Sequence, residues 1–153
     1  MKTKLFLAIS ALFVAGSLLA QTSGGPDTYG YTWKNQAEPT NPPVYAWKNI
    51  KGVGTQITGL GDDNGVGPFN LNWSFHYYWT DYNKFTVGSN GWIGFTGAPS
   101  NIASPFPAIP SAGCKNTIAA MLSDLTFAKT GGGAIPGATA WYWSNNVDTL
   151  VVQ

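Results

Sequence analysis

Phe69, Leu71, Trp73 and Phe75 alternate strictly with Asn70, Asn72, Ser74 and His76. A period of two sends successive side chains to opposite faces of an extended backbone. The pattern predicts a strand over residues 69–76 with its rings inward and its amides facing water. Two further β-type runs, Phe85-Thr86-Val87 and Trp92-Ile93-Gly94-Phe95, flank Ser89-Asn90-Gly91. Asn-Gly between such runs predicts a tight hairpin, because both residues tolerate positive φ. Residues 139–144 and 147–152 flank Asn145-Asn146 and predict a second tight hairpin.

Weaker signals fill in the rest. Residues 21–26 read as a flexible lead and residues 29–33 as a first strand. Residues 44–50, with Tyr45 and Trp47, read as another strand, and residues 55–58 as a short one. Residues 59–67 read as a turn-rich loop, and residues 77–82 as a polar and aromatic link. Pro99, Pro105, Pro107 and Pro110 exclude a regular central strand or helix from residues 97–115. Residues 117–127 are apolar enough for burial, and Gly131-Gly132-Gly133 marks a loop. The sum is an all-β chain: an antiparallel β-sandwich, of jelly-roll or immunoglobulin-like topology, with long Pro/Gly loops and little or no helix. The apolar run Leu150-Val151-Val152 just before Gln153 implies that the sandwich is incomplete at its C-terminal side and belongs to a larger protein.

Composition changes this picture in three ways. Lys2 and Lys4 precede an apolar stretch over residues 5–19 that closes on Ala20, the layout of a secretory signal peptide. The stretch is short for a membrane span, which needs about 20 residues. The expectation is a signal peptide over residues 1–20 and one mature domain over residues 21–153, secreted or at the cell surface, with no membrane span after cleavage. Removal of Lys2 and Lys4 leaves six lysines against seven acids and no arginine, so the net charge falls from +1 to −1. Nucleic-acid binding needs a basic stripe that this chain lacks. Cys114 is the single cysteine, which excludes an internal disulfide.

Catalytic signatures are thin. His76 is the one histidine and falls on the polar phase of its strand, with no nucleophile motif to serve. Glu38 is the one glutamate, in a proline-rich loop. Gly131-Gly132-Gly133 has no following Lys-Ser/Thr and no helix, so it is not a phosphate loop. The expectation is a chain with no catalytic residues and no required cofactor. Two features carry candidate chemistry. Asp62, Asp63 and Asn64 cluster oxygen donors of the kind calcium takes, though without an EF-hand spacing; an Asp/Asn turn is the competing reading. Tyr77, Tyr78, Trp79 and Tyr82 gather at a strand exit, either as a platform for sugar stacking or as a cap on the core.

The order of the motifs GPDTYGYTWKN, TQITGLGDDNGVGPFNLNWSF, FTVGSNGWIGF and IAAMLSDL resembles the amino-terminal domain of large secreted or surface proteins of Bacteroidetes-type bacteria, many of which leave by type IX secretion. It is similar, more loosely, to nidogen-like extracellular domains. The resemblance implies a non-catalytic module with an adhesive or structural role inside a larger exported protein. Its implied partners are other domains of the same parent and a surface protein or glycan. A glycan-binding module and an accessory domain of a secreted hydrolase are the alternatives. The chain departs from the resemblance at Leu122-Ser123-Asp124-Leu125, where an aromatic and a paired acid are replaced, which weakens a metal role there.

Overall fold

The computed structural model describes residues 20–109, 111–129 and 131–153. The expected signal peptide lies outside these residues except for Ala20. The chain falls into two units, Met1–Ala46 and Trp47–Gln153.

The described part of the first unit holds one small ribbon. β1 (Ser23–Gly24) pairs antiparallel with β2 (Trp33–Lys34). The turn between them is braced by Asp27, whose Oδ1 accepts from the backbone N–H of Tyr29, Gly30 and Tyr31. The flexible lead expected before residue 27 therefore contains a strand, and the strand expected over residues 29–33 shrinks to its end. Residues 44–50 form no strand either. Val44, Tyr45 and Trp47 are all exposed, so aromatic content there did not translate into burial.

The second unit is the antiparallel sandwich the sequence predicts. One sheet has the order β4-β5-β6-β7 and the other β3-β8-β9. The strands are β3 (Thr55–Ile57), β4 (Gly65–Tyr77), β5 (Thr80–Gly88), β6 (Trp92–Phe95), β7 (Thr117–Ile118), β8 (Ala140–Ser144) and β9 (Leu150–Val152). Ile57 and Ala140 from one sheet meet Leu71, Tyr82, Phe85, Val87 and Phe95 from the other in a single buried cluster. Phe69, Trp73 and Phe75 pack against it, while Asn70, Asn72, Ser74 and His76 are exposed. The two faces read from the alternation are thus the observed faces. Each such apolar side chain contributes roughly 1.5–3 kcal/mol when fully buried.

β6 is buried on both sides. Ile93 and Phe95 face the sandwich core. Trp92, on the opposite phase, joins Ile102 and Cys114 in a second cluster with Phe106, Ala119 and Leu122. The proline-rich segment therefore does not hang free: it covers the outer face of the four-stranded sheet. Among its described residues the one regular feature is a short 3₁₀ turn, Ala112–Cys114. Of residues 117–127, apolar enough for burial, only β7 pairs as a strand, and Met121 is 69% exposed.

Turns differ from expectation in instructive ways. The β5–β6 connection is three residues long, since Gly88 pairs with Trp92. Gly91 takes φ 78° and its N–H reaches Gly88 O at 3.2 Å, the geometry of a turn closed by a left-handed residue. Asn90 is free of the positive φ expected of it and does something else, described below. The β4–β5 link expected over residues 77–82 is a two-residue turn, Tyr78-Trp79, with Tyr78 at φ 53°. Glycine normally fills that position. The Asn145-Asn146 hairpin exists, but its loop spans residues 145–149: Asn145 Oδ1 accepts from the N–H of Val147, Asp148 and Thr149. β4 also carries an offset at Gly67-Pro68, where Pro has no N–H to offer the ladder.

Among the described residues no helix is long and apolar enough to cross a membrane.

Candidate functional site

Chain turns bring three carboxylates to one place. Asp62, Asp63 and Asp124 each present an oxygen within 4.8 Å of the others. Asp62 forms a bridge with Thr126, and Phe127 N donates to Gly61 O at 2.8 Å, so the 61–63 loop and the 124–127 segment run side by side. Asn90 fastens them. It is fully buried, its Nδ2 donates to Asp63 Oδ1 at 2.7 Å and to Ile102 O at 2.9 Å, and its Oδ1 accepts from Leu125 N at 2.8 Å.

The sequence-level ligand set Asp62, Asp63 and Asn64 is therefore partly redistributed. Asn64 Oδ1 accepts from Gly61 N at 2.7 Å and its Nδ2 donates to Gly59 O at 2.9 Å. Its side chain closes its own loop, as Asx residues commonly do. Asp124 takes the third place, although the sequence reading discounted its segment for lacking a paired acid. The remote partner is supplied by the fold and no local spacing reveals it. Three carboxylates are a partial set for calcium, which takes six to eight oxygens.

The aromatic group splits in the same way. Tyr82 is 8% exposed and stacks on Phe95 with ring centroids 5.1 Å apart, so it is core and not platform. Tyr77 packs on Phe75 and Phe95 and donates its hydroxyl to Thr117 O at 3.2 Å. Tyr78 is half-buried at the hairpin turn, and Trp79 beside it is 70% exposed. These two rings border an open groove of about 600 Å³ whose other side is Ile109, Ala112, Lys115 and Asn116.

His76 is exposed and its Nδ1 lies 2.6 Å from Asp81 Oδ1. Cys114 is buried. The exposure of His76 matches its place on the polar phase of the strand.

The domain is thus an antiparallel β-sandwich that carries an acidic loop cluster and an exposed aromatic hairpin tip. A family model described as NIDO related matches residues 40–140, and the chain belongs to this nidogen-related family. No curated protein and no solved structure matches the chain.

Proposed function

We propose that the chain is a non-catalytic extracellular module with an adhesive or structural role in a larger exported protein. The observation that carries this reading is membership of the nidogen-related family across residues 40–140. Placement of the polar chemistry supports it: the sole histidine is exposed and tied to Asp81, and the sole cysteine is buried. The succession of motifs in the sequence extends the proposal to a secreted or surface protein of a Bacteroidetes-type bacterium that leaves by type IX secretion. A glycan is the alternative kind of ligand, favoured by the exposed Trp79 ring beside a groove of about 600 Å³.

Two measurements test the reading. Beads coated with the full chain are passed over living cells and over protein- and polysaccharide-coated surfaces, and adhesion predicts retention above that of beads coated with an unrelated protein. A tagged chromosomal copy in the native host is then followed in fractions from a strain lacking the type IX machinery. Retention of the tag inside the envelope of that strain is the expected result; unimpaired export sinks the proposed route.

A further inference from the structure

Between Asn70 and Phe75 the β4 backbone leaves its ladder. Asn70 pairs with Lys84 and Phe75 with Tyr82, so residues 71–74 stand opposite Asn83 alone. A bulge ordinarily adds one residue and re-aims a side chain; this one adds three. Asn72 turns the corner at φ 61°, a conformation Asn reaches more readily than most residues. The offset opens a surface cleft of about 470 Å³ lined by Asn70, Asn72, Trp73, Ser74, Asp81, Tyr82 and Asn83. That volume lies within the range of small-molecule sites.

The lining has a specific chemistry. Each of three carboxamides offers both donors and acceptors, and the Ser74 hydroxyl does the same. Asn70, Ser74 and Asn83 are exposed, so their polar side-chain atoms are open to a ligand. Asn72 Nδ2 is held by Asn146 Oδ1 at 3.1 Å, which leaves its own oxygen available. Trp73 is pinned through Nε1 to Ser144 Oγ at 3.1 Å and gives a fixed apolar wall. No lysine lines the cleft, and its one charged residue, Asp81, is negative and already paired with His76. An anionic group seated there meets the Asp81 carboxylate, and the nearest lysine, Lys84 opposite Asn70, stands outside the lining. Neighbouring hydroxyls on a sugar ring, each donor and acceptor at once, match amides placed side by side, and the less polar ring face matches an indole.

We propose that the bulge cleft binds a neutral oligosaccharide. This rests on the adhesive reading and names the ligand class and its seat. The cleft is favoured over the groove at Trp79, where Lys115, Ile109 and Ala112 dilute the polar lining.

The test is a glycan array carrying neutral oligosaccharides beside sialylated, uronic and sulfated ones, probed with the full chain. Binding to a subset of neutral glycans is expected. The double variant Asn70→Ala, Asn83→Ala should weaken it at least tenfold with an unchanged thermal melt, because both side chains are exposed. Trp79→Ala should leave it unchanged. No signal on neutral glycans, signal on acidic glycans alone, a double variant that binds like the parent, or loss through Trp79→Ala each overturns the proposal. The bead assay separates the two failures: retained beads with a silent array sink the cleft and spare adhesion, whereas a neutral-glycan signal without bead retention does the reverse.

Discussion

Truncation of Asn90 to alanine is expected to be among the most damaging polar substitutions in the sandwich unit. The side chain is fully buried and satisfies three partners: the Asp63 carboxylate, the Ile102 carbonyl and the Leu125 amide. Two neutral hydrogen bonds are worth about 1 kcal/mol each, and the bond to the charged Asp63 about 1.5–3 kcal/mol. Asp63 is half-buried and regains part of its loss from water. The net cost is about 3 kcal/mol, a large share of the roughly 5–15 kcal/mol that holds a domain together. Urea unfolding should show the midpoint falling with the slope unchanged, and the melting temperature should drop by more than about 10 °C. A double-mutant cycle with Asp63→Ala isolates the charged bond and should give coupling of about 1 kcal/mol or more. Amide exchange at Leu125 should accelerate in the variant ahead of β5 and β6. A loss below about 1 kcal/mol, or strict additivity with Asp63→Ala, would refute the role of Asn90 as the fastener of these loops.

Three further expectations follow from the same geometry. Gly88→Ala drives a Cβ into the Trp92 indole, and Trp92 is 2% exposed; overpacking of this kind costs about 3 kcal/mol, read as lost soluble yield and a lowered melt. Asp148 is held below its ordinary value of 3.8 by the Asn145 amide first and the Thr149 hydroxyl second. Its folded value is depressed, so its contribution is present above the unfolded value and disappears as pH falls through the folded one; an NMR titration should place its midpoint below 3.8 and Asn145→Ala should raise it, whereas a midpoint at or above 3.8 in the parent contradicts the contact. Asp124→Asn removes one of three carboxylates lying within 4.8 Å, a repulsion of about 1 kcal/mol per neighbour in water-like surroundings, so in chelator at low salt the variant should melt higher and the difference should fade as salt rises. Calorimetry with calcium tests the cation reading of the same cluster: no heat and no melting shift in the parent ends it.

The strands that were legible in the sequence are those whose burial is one-sided. Phe69 to His76 alternates because one face meets the β3-β8-β9 sheet and the other meets water. The bulge within it was hidden, because alternation records which way side chains point and not whether the backbone is paired. Tyr45 and Trp47 misled because aromatic residues favour strands only where a partner surface exists, and here both are exposed. Asn90-Gly91 marked the right hairpin for an incomplete reason: Gly91 supplies the positive φ, while Asn90 is retained inside by long-range hydrogen bonds. The acidic cluster was half legible. Asp62 and Asp63 are neighbours in the chain, but Asp124 reaches them through a fold-level pairing of Asp62 with Thr126.

Cys114 sits 8% exposed in the smaller cluster under the proline-rich segment, against Trp92 and Ile102. At that exposure the thiol reacts with a dye far more slowly than a free cysteine, and faster whenever that cover lifts. The labelling rate of the unaltered chain is thus a clock for how often the flap opens, read without any engineered probe. Compared with global unfolding, it tells whether this half of the molecule breathes by itself or moves in step with the sandwich.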